Sequence, residues 1–166
     1  KAANTQFHEN GYAAASIATI AQDAGVSTKT LYRLFPTKAD LFASMISERI
    51  VGFLLALDPP MLANADLRDG LERMLMAYGR LSLSEDTVTI MRLVIGESDR
   101  FPEIATSFYE QAILRTNALM EDWLRRQVDR GLIALDDPHL ACGMLRGMMA
   151  MEPQRAAILR QEPPPK

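Results

Sequence analysis

The sequence predicts an all-α protein, and three observations support this prediction. Alternating β-branched runs are almost absent from the 166 residues, and no Asn-Gly or Asp-Gly hairpin signal occurs. Residues that start and stop helices recur along the whole chain. Apolar residues recur at helical spacing from 102 to 130, which would form a helix roughly 42 Å long.

Two short helices are predicted before residue 25. The first ends near Asn10, where Gly11 can stop it. Ser16 can cap a second helix over residues 17–24, because a serine hydroxyl accepts a hydrogen bond from a free amide of the first turn. Gly25 then ends that helix.

The next two helices follow without a long connection. Ser27 can cap a helix over residues 28–35, and Pro36 ends it because proline cannot donate the next helical hydrogen bond. Thr37 can cap a fourth helix, which begins at Lys38 and continues into the fifties. The sequence Asp58-Pro59-Pro60 ends this helix and is the strongest candidate for a domain boundary.

The remaining predicted helices also begin at capping or proline positions. They run from Asp66 to about Leu83, from Glu85 or Asp86 to about Ser98, from Pro102 to residue 130 before Gly131, and from His139 to Met151 after Asp136, Asp137 and Pro138. The last of these is apolar nearly all round, so it has to be covered on more than one side. The proline-rich end at 162–166 is predicted to be disordered.

Composition and charge exclude several classes of protein. The single cysteine, Cys142, excludes a disulfide-stapled secreted scaffold. No apolar run approaches the roughly 18 residues that a membrane span needs, and no signal-peptide pattern occurs. The formal net charge of −3 argues against a non-specific nucleic-acid binder. We therefore expect a cytoplasmic protein without a membrane partner.

Residues 16–41 carry the most informative pattern. Ile17 and Ile20 give one short helix an apolar face, Leu31 and Phe35 do so for the next, and Gly25 lies in the turn between them. Two short helices joined by a turn of three or four residues that contains glycine form a helix-turn-helix. In this motif the second helix enters the major groove of DNA, and its first residues meet the base edges.

The residues at that position are Thr28, Lys29 and Thr30. A lysine can donate to the acceptors of guanine, and a threonine can donate, accept or contact the thymine methyl. The wider pattern resembles the N-terminal signature of TetR-type transcriptional regulators. It comprises Phe7, Gly11-Tyr12, Ser16-Ile17, Ile20-Ala21, Ala24-Gly25-Val26-Ser27, Thr30-Leu31-Tyr32, Phe35, Lys38 and Leu41.

The resemblance implies roles for individual residues. Tyr32 and Lys38 would bind DNA phosphates, and Lys29 stands where the family often has glycine. Ala15 replaces a common threonine, which leaves the Ser16 hydroxyl to serve that phosphate. The candidate DNA-binding residues are Ser16, Ser27, Thr28, Lys29, Thr30, Tyr32, Arg33 and Lys38.

Each of these residues alone also fits a structural role. Tyr32 could lie at the edge of the core, and Lys38 could be a solvated charge, although a cation near a helix N-terminus is slightly unfavourable. Thr28 and Thr30 could be ordinary surface residues. Their order and spacing together favour DNA binding.

The resemblance also implies a division into two domains. Residues 1–47 would form a three-helix DNA-binding domain, and residues 48–161 a larger helical domain for ligand binding and dimerisation. The last two long helices, at about 102–130 and 137–151, would pair with their copies in a homodimer, where Gly143 and Gly147 allow a close approach. The stretch 97–103 resembles the C-terminal domain of AefR-like regulators.

The larger domain would enclose a small, apolar ligand. Large apolar and aromatic side chains on its predicted helices are the candidates for the pocket wall: Met74, Tyr78, Met91, Met120 and Trp123. Periodicity alone cannot separate such a wall from an ordinary core.

An enzyme is not expected. One cysteine and two distant histidines cannot form a usual zinc site, and the sequence has no Walker loop and no GxGxxG motif. No cofactor or metal is therefore predicted. The expected function is a sequence-specific DNA-binding regulator, a ligand-responsive repressor that binds a palindromic operator as a homodimer. The alternative is a helical ligand-binding or scaffold dimer that does not bind DNA.

Overall fold

The computed structural model describes residues 1–57 and 65–161, and all regular secondary structure within these ranges is helical. The helices are α1 (Ala2–Ala14), α2 (Ile17–Asp23), α3 (Thr28–Leu34), α4 (Lys38–Leu57), α5 (Leu67–Ser82), α6 (Glu85–Glu97), α7 (Pro102–Phe108), a π-helical segment (Tyr109–Leu114), α8 (Arg115–Asp129) and α9 (Pro138–Ile158). The all-α prediction is confirmed. The predicted boundary at 58–60 and the predicted disordered end at 162–166 lie outside the described residues.

The predicted helix starts are confirmed by their hydrogen bonds. The side chains of Ser16, Ser27 and Asp66 each accept from an amide three residues on, and Asp137 accepts from the amides of two first-turn residues. Thr37 and Asp40 cap α4 reciprocally, since each side chain binds the other residue's amide. The cap of α6 is Ser84.

Helix α1 is interrupted at Gly11, as predicted. This residue has φ 74° and ψ 174°, a conformation that only glycine adopts without strain. The helix therefore consists of a segment up to Asn10 and one further turn that starts at Tyr12. The break redirects the chain toward α2.

The N-terminal helices share their core with the rest of the chain. Phe7, Tyr12 and Phe42 pack with ring centroids 5.5–5.7 Å apart, and Phe101 lies 5.1 Å from the Tyr12 ring. This core continues into α6 and α7, where Ile104 is completely buried. The helix-turn-helix thus rests on the larger helical bundle, and α4 runs without a break past the predicted boundary at residue 47.

The predicted helix over 102–130 is observed with one local change. Its middle, Tyr109–Leu114, is π-helical, with α-helix on both sides. A π segment widens the helix locally and shifts the face that later residues present. The apolar stripe could not reveal this change, because it still reads as a helical period.

The last helix extends seven residues beyond the predicted end at Met151, and Pro153 lies inside it. Contacts with other helices hold this extension in place. The Gln154 side chain donates to the carbonyl of Ser82 (2.9 Å), and the Arg92 guanidinium donates to the carbonyls of Ala157 and Ile158. Long-range capping thus offsets the local cost of the proline.

No helix within the described residues is both long and apolar enough to cross a membrane.

Candidate functional site

The N-terminal end of α3 presents polar side chains to solvent. Thr28 and Lys29 are exposed, while Thr30 is half-buried and its hydroxyl lies 2.9 Å from that of Ser27. The Ser27 oxygen also accepts from the Thr30 amide (3.1 Å), so the first turn of α3 is rigid. A rigid turn lets these side chains meet a partner with little loss of conformational entropy.

Tyr32 and Arg33 lie further along the exposed side of α3. Within residues 1–57 and 65–161, neither side chain has a hydrogen bond or an ion pair, and the same is true of Lys29. Half of the Tyr32 surface is open to solvent. DNA phosphates and base edges bind groups of this kind, because cations and a phenol without protein partners can donate hydrogen bonds to them.

Ser16 is exposed at the start of α2. Its oxygen accepts from the amide of Thr19 (3.3 Å), which leaves its hydroxyl proton free to donate. The side chain therefore has the geometry that the resemblance implies for a phosphate contact.

Lys38 lies in a different environment from the cations of α3. Its ammonium donates to the carbonyls of Tyr12 (2.7 Å) and Ala13 (3.2 Å), and it sits 5.1 Å from the Tyr12 ring centroid. Burial lowers the pKa of Lys38, and the negative charge of Glu97 opposes that shift. Two of its three protons are committed within the fold, so its phosphate contact stays a prediction.

Glu97 holds the same segment from the other side. Its carboxylate accepts from the amides of Tyr12 (2.8 Å) and Ala13 (3.0 Å), although it lies at the far end of α6. A Cβ atom on Gly11 would come within 2.7 Å of Glu97 Oε1. We call these five residues, Gly11 to Ala13 with Lys38 and Glu97, the junction. It joins the helix-turn-helix to the larger bundle.

A cavity of about 250 Å³ lies among α4, α5, α6, α9 and the stretch that runs from the end of α7 through the π segment to the start of α8. Of the five residues predicted to line a pocket, it contains Tyr78 and Met91. The other three are core residues: Met74 and Met120 are completely buried, and the Trp123 ring fills the space beside Gly70. A Cβ atom on Gly70 would lie 2.5 Å from this ring.

Sequence reasoning missed several polar residues at the cavity and the junction. Arg49 lines the cavity and pairs with Asp86 (2.7 Å), and Arg146 lines it from α9. Glu97 was not predicted to bind the backbone at residues 12 and 13. The available signal was Arg146, the only charged residue between Leu140 and Met151 on helix α9.

The exposed face of α9 is rich in methionine. Leu140, Met144, Met148 and Met151 follow one another at helical spacing, and Met148 is 82% exposed. A Cβ atom on Gly143 would meet nothing within 4 Å, so this glycine serves no close packing among the described residues. A row of four large apolar side chains is typical of a surface that another protein covers.

Metal chemistry has no visible basis in the part of the chain that the structure describes. Those residues contain no cluster of three or more histidine, cysteine or acidic side chains that could hold a metal ion. Burial raises the pKa of the Cys142 thiol, which disfavours the reactive thiolate.

Comparison with known proteins identifies the family. Residues 1–45 match the family described as bacterial regulatory proteins of the tetR family, and residues 69–166 match the AefR-like transcriptional repressor C-terminal domain. An HTH-type transcriptional regulator of Mycobacterium bovis, described as uncharacterized, is 31% identical over 130 residues. That match covers 77% of this chain and 60% of the relative, so the chain spans about three fifths of the curated relatives' length.

Solved structures agree with this assignment. The flavonoid-responsive regulator FrrA is 31% identical with a TM-score of 0.78, over 97% of this chain and 82% of that one. A TetR-family regulator from Mesorhizobium loti is 27% identical with a TM-score of 0.78, over 95% and 80%. FadR from Bacillus subtilis, solved with stearoyl-CoA, shares the fold at 23% identity and a TM-score of 0.73, over 96% and 85%. The chain therefore belongs to the TetR family of transcriptional regulators.

Proposed function

We propose that this chain is a ligand-responsive repressor that binds a palindromic DNA operator as a homodimer. The observation that carries the proposal is the exposed side of α3, where Lys29, Tyr32 and Arg33 have no partner among the described residues. Its first turn would meet base edges, and Tyr32, Arg33, Ser16 and Lys38 would bind phosphates. DNA binding also implies that the protein acts in the cytoplasm.

Dimerisation would use the exposed face of α9. Two copies related by a two-fold axis would bury Leu140, Met144, Met148 and Met151 against one another, with α8 completing a four-helix bundle. A two-fold dimer presents two α3 helices to half-sites about 34 Å apart, one turn of DNA. The palindromic operator follows from this symmetry.

The ligand response would pass from the cavity to the junction. Helix α6 lines the cavity with Thr87, Ile90 and Met91, and its last residue, Glu97, binds the backbone of Tyr12 and Ala13. A ligand that fits the cavity better in one position of α6 would therefore shift the helix-turn-helix. The size of this shift is limited by the ligand's differential affinity for the two positions. The relatives FrrA and FadR, described as flavonoid-responsive and as a stearoyl-CoA complex, support a ligand role.

Selection of bound sequences from a random duplex pool tests DNA recognition. We expect one enriched inverted repeat, with half-sites spaced by about one helical turn. Arg68→Ala, which removes an exposed cation on α5, is the matched control and should enrich the same repeat. No enrichment from an intact dimer would favour the alternative, a ligand-binding or scaffold protein.

Sedimentation velocity tests the dimer surface. Met148→Lys places a charge on the most exposed methionine of α9 and should shift the protein to monomer at micromolar concentration. Ile95→Lys is the control, because Ile95 is 62% exposed but lies on α6. A dimer in both variants would contradict this surface.

A further inference from the structure

The cavity described above has an unbalanced charge. Two guanidinium groups line it, from Arg49 and Arg146, and its lining contains no carboxylate. Arg49 is already neutralised, since its guanidinium pairs with Asp86 (2.7 Å) and donates to Asn4 (2.8 Å). The positive charge of Arg146 is therefore the one that a ligand would meet.

Arg146 has no carboxylate partner among the described residues. Its Nε atom is buried and makes no hydrogen bond there. A guanidinium stays protonated at all relevant pH values, so a buried donor on it is costly unless something accepts its proton. Because Arg146 lines the cavity, an anionic acceptor that enters it would give the charge of this guanidinium a partner.

Two neutral donors also line the cavity. Burial raises the pKa of the Tyr78 phenol, while the charge of Arg146 and its hydrogen bond to the phenol oxygen oppose that shift, so the phenol keeps its proton at neutral pH. Thr116 lines the cavity from α8, and its hydroxyl has no partner in the described parts of the chain. These donors and the guanidinium are groups from which the two oxygens of a carboxylate accept hydrogen bonds.

The rest of the wall is apolar, and the space is small. Ile46, Ile50, Ile90 and Phe108 contribute hydrocarbon surface from three sides. A volume of about 250 Å³ corresponds to about eight water molecules at roughly 30 Å³ each. A ligand of about eight to ten non-hydrogen atoms fits this volume.

We propose that this cavity binds a small monocarboxylate with an apolar body, whose carboxylate pairs with Arg146 while the hydrocarbon packs against α4 and α6. A cation is disfavoured because no acidic side chain lines the site, and a neutral hydrocarbon would leave the Arg146 charge without an anionic partner. Its role as the effector rests on the proposed function, but its binding to the free protein does not.

Calorimetric titration of the full chain tests the proposal with three probes. Octanoate and benzoate carry the carboxylate on aliphatic and aromatic bodies, and octanamide copies octanoate without the charge. We expect at least one acid to bind at least tenfold more tightly than octanamide, since a hydrogen bond to a charged group is worth about that factor. The tighter acid identifies the body that the cavity prefers.

Variants of α9 identify the residue responsible. Arg146→Gln should weaken binding of the preferred acid at least tenfold without changing the affinity for octanamide. Arg146→Lys should lose an intermediate part of the affinity for the acid. Arg155→Gln, on the same helix but outside the cavity, should bind as the wild type does. Circular dichroism melting of each variant checks that it is folded.

The proposal is overturned if neither acid binds, if octanamide binds equally well, or if folded Arg146→Gln and Arg146→Lys both keep full affinity for the acid. DNA selection is a separate measurement. An enriched operator without acid binding would reject this inference alone, whereas acid binding without an operator would reject the proposed repressor and leave the carboxylate site standing.

Discussion

The helix-turn-helix and the junction use the same residue types in opposite ways. Lys29 on α3 has no partner in the described structure, whereas the Lys38 ammonium donates to two backbone carbonyls. The Tyr32 hydroxyl and the cations of α3 are available to a partner, while the charges of the junction are committed to Tyr12 and Ala13. The difference separates the residues that would recognise DNA from those that would hold the recognition helix in position.

The two positive-φ glycines in these regions give the largest expected difference. Gly11→Ala places a Cβ atom 2.7 Å from Glu97 Oε1 at a residue with φ 74°, and should lower the free energy of unfolding by about 3 kcal/mol. Gly25 has a similar φ of 69°, but a Cβ atom there would meet nothing within 4 Å. Gly25→Ala should therefore lower the free energy of unfolding by only about 1 kcal/mol. Urea denaturation measures both. Equal losses of stability in the two variants would show that the Glu97 side chain moves aside at no cost in free energy.

Glu97→Gln leaves the side chain with one acceptor oxygen and removes its charge. Because two amides now bind this carboxylate, we expect a loss of about 2 kcal/mol in the free energy of unfolding. Glu103→Gln is the control, since its longer 3.4 Å contact with the Tyr12 hydroxyl should matter by less than about 1 kcal/mol. A Glu97→Gln variant as stable as the wild type would mean that the hydrogen bonds of the junction contribute nothing to the free energy of unfolding.

Lys38→Ala tests whether this lysine belongs to both regions. Loss of the two carbonyl contacts should cost about 1 kcal/mol of stability. If its third proton binds a phosphate, the slope of log affinity against log salt should also fall by about 0.9 for every DNA sequence. Fluorescence anisotropy at several salt concentrations measures the slope. An unchanged slope would confine Lys38 to the junction.

Tyr12→Phe has its expected effect mainly at high pH. Burial, with the nearby Glu103 charge, raises the pKa of Tyr12 from 10.0 to about 12. Between these values the unfolded chain loses the proton and the folded chain keeps it, so wild-type stability falls as pH rises. Between pH 8 and pH 11, the free energy of unfolding measured by denaturation should fall more for the wild type than for the variant. Equal losses would contradict the raised pKa.

Local signals explain which parts of the fold could be predicted. The caps Ser16, Ser27, Asp66 and Asp137 act on amides two or three residues away, so their pattern is visible in the sequence. Glu97 binds residues 84 and 85 positions earlier, and no local period records such a contact.

The lining of the candidate pocket could not be predicted for the same reason, because it depends on contacts between residues far apart in the sequence. Met120 and Met91 look alike in a helical pattern, but packing buries one in the core and leaves the other on the cavity wall. The extension of α9 past Pro153 also depends on long-range contacts. The exposed face of α3, in contrast, follows from its short apolar stripe, in which Leu31 is buried.

The most direct test of the central claim is a DNA selection repeated with Lys29→Ala and with the control Arg68→Ala. The account predicts that Lys29→Ala changes the preferred base at the same position of each half-site, because Lys29 lies in the exposed first turn of α3 and would meet a base edge. Arg68→Ala should select the wild-type sequence. Enrichment of the same sequence by both variants would contradict recognition of DNA bases by Lys29 at this end of α3.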